Sequence, residues 1–150
     1  MGNLRGACWL TPFERLLLQA PCSINFKMNF PDFGSFQGIN MLSQKETDCI
    51  RTCHECAIAC LQCAAACLKE NDPKPMAACI AADMACADFC QLAASSIARG
   101  DAHASEVCAL CAKICKTCAT ECGKHDMEHC KACAAACKRC ADACSSMAVK

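Results

Sequence analysis

Tyrosine is missing from this chain, tryptophan occurs once, and of six phenylalanines only Phe89 lies beyond residue 36. The longer part of the chain therefore has almost nothing with which to build an aromatic core, and its interior must come from small side chains. Excess charge is missing too: 15 Lys and Arg balance 15 Asp and Glu, for a formal net charge of +0. That balance provides no broad cationic field to attract nucleic acid or an anionic membrane surface, and neither is expected as a partner. There is no run of about 18 apolar residues, so no transmembrane helix is indicated. A secretory leader needs a basic start, an apolar stretch and a small-residue cleavage site. "ERLLLQAPC" supplies three consecutive leucines and no twin-arginine pair. A cytoplasmic location is the expectation.

Helical periodicity is absent from residues 1–42, which carry Pro12, Pro21 and Pro31. They read as an irregular or disordered N-terminal extension, or as an upstream segment ahead of a start at Met28 or Met41. No role is assigned to Cys8 or Cys22. Residues 43–150 have the size of one domain.

What the chain has in abundance is cysteine, 21 in 150 residues. Such density normally marks a small secreted domain held by disulfides. Two facts oppose that here. An odd count leaves one thiol unpaired. Cysteines three or four apart on a helix also have Cβ atoms roughly 5–6 Å apart, whereas a relaxed disulfide needs about 3.8 Å. Such neighbours are placed to share a metal ion.

The punctuation from Ser43 onward is regular. "SQKE" forms a capping box from Ser43 and Glu46 and predicts a first helix to about Glu70. "NDPKP" predicts a turn with Asp72 as N-cap and Pro73 at the first position of a second helix, which ends at Gly100. Asp101 or Ser105 caps a third helix ending at Gly123, and Asp126 caps a fourth running to about Met147. Four helices of roughly 20–27 residues joined by short loops predict an all-α, antiparallel up-down-up-down four-helix bundle.

One pattern recurs in these helices: Cys53, Cys56, Cys60, Cys63, Cys67; Cys108, Cys111, Cys115, Cys118, Cys122; and Cys130, Cys133, Cys137, Cys140, Cys144. The second helix keeps the register as Met76, Cys79, Asp83, Cys86, Cys90, and Cys49 extends the first seam by one step. Alternating steps of three and four mark one helix face, here the a and d positions that face a bundle axis. Flanking positions are alanine in the first and fourth helices: Ala57, Ala59, Ala64, Ala66, Ala134, Ala136, Ala141 and Ala143. The prediction is a cysteine-lined core with a small-residue wall and a polar exterior. Buried free cysteine can serve as a small hydrophobe. A seam this rich in it would, however, leave the interior under-packed, at about 24 cal/mol per Å³ of cavity. Something must fill the space.

Thiolates select Cu(I), Zn(II) or iron–sulfur clusters. No cysteine here is followed by proline, and the C-x2-C-x2-C-x3-C-P ferredoxin run is absent. A zinc ion on four thiolates carries a net charge of minus two. A column of such sites would bury roughly eight to ten negative charges, with no Lys or Arg in the seams to offset them. Cu(I) tolerates two or three sulfurs, and one Cu(I) per thiolate leaves the core neutral. Charge balance favours many Cu(I) ions per chain. A zinc or general metal-sequestering, metallothionein-like protein and a thiol-redox protein are the competing readings. None of the three is an enzyme.

The repeated C-x2-C-x3-C-x2-C-x3-C helices with alanine filler resemble the bacterial copper storage proteins, a cysteine-rich four-helix-bundle family, over residues 43–148. The resemblance implies a homotetramer of bundles that stores many Cu(I) ions on inward-facing cysteines. Lacking a twin-arginine signal, the chain is similar to the cytosolic branch.

Other ligands are expected at the ends of the column. His125 sits one seam step beyond Cys122, at the end that also holds Cys67 and Met76. Met147 takes the equivalent place at the opposite end, beside Cys49 and Met41. Asp83 faces inward by register and must be paired or protonated there. His54, His103 and His129 fall off the seam and are expected at the surface.

Overall fold

The computed structural model describes residues 42–148, so the expected extension and Met41 lie outside the described residues. Four helices account for most of them: α1, Gln44–Cys67; α2, Ala77–Ala98; α3, Ala104–Cys122; and α4, Glu128–Ala148. Each helix packs on the two beside it in a ring, α1–α2–α3–α4 and back to α1. Sulfur contacts give the directions. Near one end Cys53 meets Cys144 at 3.5 Å, and near the other Cys67 meets Cys130 at 3.9 Å, so α1 and α4 are antiparallel. Cys90–Cys115 at 3.7 Å and Cys79–Cys122 at 3.5 Å give the same result for α2 and α3. The bundle is up-down-up-down.

Local chemistry sets the helix limits. The Ser43 hydroxyl accepts from the Glu46 amide at 3.2 Å, and the Ser43 amide donates to the Glu46 carboxylate at 2.7 Å. This reciprocal pair satisfies two amides that would otherwise lack a partner in the first turn. α1 stops at Cys67, three residues earlier than its pattern suggests. Lys69 and Glu70 donate to Ala66 and Cys67, three residues back, and the chain tightens into a turn.

α2 begins later than the sequence predicts. Asp72 accepts from the Lys74 amide at 3.2 Å as expected of a cap, but Lys74–Met76 form a 3-10 turn before the α-helix starts at Ala77. Pro75 accounts for the delay: it has no amide to donate and disfavours the α conformation at Lys74. At the far end Gly100 adopts φ 62°. The Gly100 amide bonds to the Ile97 carbonyl and the Asp101 amide to the Ser96 carbonyl, each at 3.0 Å. This double closure needs a residue tolerant of the left-handed region.

The two remaining caps differ from expectation. Asp101 accepts from the His103 amide at 2.9 Å, whereas Ser105 lies inside α3 and donates its hydroxyl to the Ala148 carbonyl at 3.3 Å. Lys45 donates to the Ser146 carbonyl at 2.6 Å, so side chains of α1 and α3 together satisfy the last turn of α4. Asp126 faces Lys131 at 3.7 Å, and α4 starts two residues after it.

The core follows the seam. All nineteen cysteines of the bundle are buried, walled by Ala57, Ala64, Ala134, Ala136 and Ala141, which are buried as well. Ala59, Ala66 and Ala143 are half-buried. Ile80, Phe89, Val107 and Ile114 pack against this core from outside. Replacing Ser43 with alanine removes the side-chain half of the α1 cap. The apo bundle is expected to lose about 1 kcal/mol, measured as a lower urea midpoint at unchanged slope.

Candidate metal centre

The column is built from helix geometry. Seam residues project from four rods toward one axis, so sulfurs meet across diagonals as well as between neighbours. Cys86 of α2 lies 3.8 Å from Cys137 of α4, and Cys90 lies 3.7 Å from Cys140. Between neighbouring helices, Cys56 and Cys60 each lie 3.6 Å from Cys137, and Cys133 lies 3.6 Å from Cys60. Cys90 and Cys111 are 3.8 Å apart, and Cys63 and Cys130 likewise. Cys49 joins the column at 3.9 Å from Cys144, and Cys108 shares that layer with both.

The bundle cysteines are unbridged, and their spacings suit bridged metals. A disulfide needs about 2.05 Å between sulfurs, and the nineteen bundle thiols are free. With metal–sulfur bonds of about 2.3 Å, two sulfurs on one ion sit roughly 3.8 Å apart at a tetrahedral angle and about 4.0 Å apart at a trigonal one. The thiols already stand at that separation. Quartets with all sulfurs within 4.8 Å of one another run along the axis, among them Cys53–Cys111–Cys140–Cys144, Cys56–Cys90–Cys115–Cys140, Cys60–Cys118–Cys133–Cys137 and Cys63–Cys67–Cys79–Cys130. A further quartet, Cys56–Cys60–Cys86–Cys137, shares Cys56, Cys60 and Cys137 with these, and Cys140 already belongs to two of them. The sites are therefore fused into a column. Burial raises the thiols of Cys63 and Cys79 and pushes Cys130 up to about 11, which keeps them protonated until a cation displaces the proton.

Asp83 occupies the α2 seam position where its neighbours carry thiols, and it is fully buried. Its Oδ1 accepts from the thiols of Cys118, Cys122 and Cys133, each at 3.2 Å, and its Oδ2 accepts from Cys79 at 3.7 Å. Removal from water dominates its titration and raises the carboxyl from 3.8 to about 8. The group adds one oxygen to a sulfur column and is largely protonated at neutral pH.

The ends of the column differ. At the α1–α2 end, Met76 is buried in the core and His125 is half-buried, with a buried Nε2 that has no hydrogen-bond partner among the described residues. His129 departs from expectation. Its off-seam position predicts a surface side chain, but its Nε2 lies 3.5 Å from Cys67 Sγ and the residue is half-buried. On α4 it holds the flanking register of the wall residues Ala136 and Ala143, one and two heptads further along the same face, and that register is the signal that marks it. His54 and His103 are exposed as expected. At the opposite end Met147 is half-buried against the core. There α2 contributes Ala93, Ala94 and Ile97, all buried, in place of thiols.

The model of the copper storage protein family, Csp, matches residues 42–149. The chain belongs to that family. A cysteine-rich protein of Bacillus subtilis, YhjQ, itself uncharacterized, is 46% identical over 85 residues, 57% of this chain and 79% of its own. A solved Cu(I)-bound copper storage protein, BsCsp3, is 46% identical with a TM-score of 0.68, over 71% of this chain and 100% of that one. A cytosolic copper storage protein from Streptomyces lividans, solved with five coppers, is 37% identical with a TM-score of 0.67, over 69% of this chain and 92% of that one. The chain thus combines the fold of these copper-loaded relatives with a core of thiol quartets suited to Cu(I).

The raised carboxyl has a thermodynamic consequence. Between pH 4 and 8 folded Asp83 holds a proton that the unfolded chain has released, so stability is fully present below about 4 and falls as pH rises toward 8. The melting temperature of the reduced apo protein should decline over that interval, and Asp83→Asn should flatten the decline.

Proposed function

We propose that this chain is a non-enzymatic copper store that holds many Cu(I) ions on the thiolates of Cys49 through Cys144 inside the bundle. The observation that carries the reading is the unbroken axial column of nineteen buried free thiols at metal-sharing separations. Each incoming Cu(I) replaces a thiol proton, so the filled core stays near neutrality. The equivalent zinc column would accumulate buried negative charge. Binding tightens with rising pH because the thiolate is the ligand.

Residues 43–150 form the storage unit. Copper is admitted at the α1–α2 end, where the half-buried imidazoles of His125 and His129 stand with Met76 and Cys67, all of them soft or borderline donors for Cu(I). Met147 is the weaker candidate because its end of the axis is filled by Ile97 and alanine. A cytosolic location agrees with the Streptomyces lividans relative.

The bundle assembles as a homotetramer through the α1–α2 face. Ile58 and Leu61 of α1 and Met84 and Leu92 of α2 are exposed there, with relative accessibilities of 42% to 57%. Ile58 and Leu61 line a groove of about 290 Å³ with Gln91. Helix α2, together with its leading turn, has a mean hydropathy of 1.4 over its most apolar window, long and apolar enough by composition to cross a membrane. Its thiols and Asp83 instead face a core, and the outward apolar strip is suited to burial against a second bundle.

Anaerobic titration against a Cu(I) chelator should give well over ten tightly held Cu(I) per chain; a zinc store would saturate at about four ions. Replacing Cys111, Cys115 and Cys118 together with alanine should remove several Cu(I) from the capacity while far-UV circular dichroism of the apo protein remains helical. Unchanged capacity would place the ligands elsewhere. Ile58→Lys with Leu61→Lys should shift the mass seen in analytical ultracentrifugation toward that of a monomer without altering copper per chain.

A further inference from the structure

We infer that a lysine-lined groove between α3 and α4 docks a small anionic thiol compound that brings Cu(I) to the mouth of the column; this rests on the storage reading above. The groove has a volume of about 410 Å³ and is lined by Lys116, Ala119 and Thr120 of α3, Gly123 and Lys124 of the following loop, and Lys138 of α4. That volume is in the range of small-ligand sites, about 300–1,000 Å³. Three ammonium-bearing side chains from three separate segments share one recess on a chain whose formal net charge is +0. The convergence is therefore local. Lys124 is paired with Glu121, whereas Lys116 and Lys138 have no carboxylate in salt-bridge reach among the described residues.

Position ties the groove to the column. Gly123 and Lys124 directly join Cys122, a buried seam thiol, to His125 at the mouth. The groove also lies on the face away from the apolar α1–α2 strip, so assembly through that strip leaves it open.

The chemistry of the cargo points to the occupant. Cu(I) is soft and travels on thiolates. A small peptide thiol that also carries carboxylates keeps net negative charge after binding Cu(I). Lysines act on such a complex as point charges, which steer it and hold it loosely while the metal moves. In the transfer a bond forms between Cu(I) and a thiol sulfur of the column, and the bond from Cu(I) to the donor sulfur breaks. The proton leaving that thiol goes to the departing donor thiolate. Copper stays monovalent, and no electron is transferred.

The test uses the full reduced chain and Lys116→Gln with Lys138→Gln. Two donors are compared under anaerobic conditions, Cu(I)–glutathione and Cu(I) in acetonitrile, whose ligand is uncharged. The double variant should load several-fold more slowly than the parent from Cu(I)–glutathione, with a weaker dependence on salt. It should load at the parental rate from the acetonitrile complex, to the same capacity. Equal effects on both donors, or none on either, overturn the inference while leaving storage intact. A low capacity from both donors overturns storage instead. A copper-free measurement then decides the groove by itself. Millimolar S-methylglutathione, which cannot bind Cu(I) through a thiolate, should shift the amide resonances of Thr120, Gly123 and Lys124 in the parent and not in the double variant. Absence of those shifts in the parent refutes the docking site.

Discussion

Every feature of this bundle answers to the cost of burying ionisable sulfur. A thiol on the axis is tolerable while it keeps its proton, because it then behaves as a small, weakly polar hydrophobe. It becomes very costly if the proton leaves and nothing replaces it. Nineteen such groups share one column with no cationic side chain among them. The core therefore has two acceptable conditions, fully protonated or filled with a soft monovalent cation. Moving between them replaces protons with Cu(I) without a large change in buried charge.

Alanine makes the arrangement geometrically possible. With Ala57, Ala64, Ala112, Ala119, Ala134 and Ala141 buried beside the seams, neighbouring backbones approach closely enough for sulfurs to meet across the diagonal. The interior is held by many small contacts, so order at the helix ends matters more than in a leucine-filled bundle. The Ser43 box, the Gly100 closure and the bonds from Lys45 and Ser105 to the last turn of α4 all act at ends. Asp83 is the exception within the column. One carboxyl in contact with four thiols concentrates polarity toward the Cys67–Cys122 end and makes that stretch of the axis different from the Cys53–Cys140–Cys144 end.

The molecule is polarised along its axis and around it. One end carries imidazoles and a thioether; the other is filled by Ile97 with Ala93 and Ala94. One side, α1–α2, is apolar, and the opposite side, α3–α4, gathers lysines into a groove. The asymmetry around the axis involves exposed positions outside the seam register and leaves the thiol column intact, whereas the axial one lies in the α2 seam, where Met76 and Ile97 stand at the two ends. Under the proposed reading, the axial asymmetry sets a direction for filling and the other a face for assembly.

Seam periodicity alone determined the helix count, the order of the elements and which nineteen cysteines face inward, because a three–four step has one geometric outcome on a helix. Loop residues located the turns, with Gly100 and Ser43 acting as their types require. Tertiary structure decided what depends on distance between chain segments. Pro75 delayed α2, Ser105 went to the end of α4, and His129, one position off the seam, met Cys67 across the α1–α4 contact. Asp83 could be placed inside from sequence, but its four thiol partners come from three helices, and the lysine groove from two helices and a loop. Spacing along a chain sets which face a residue occupies; only packing sets what stands opposite it.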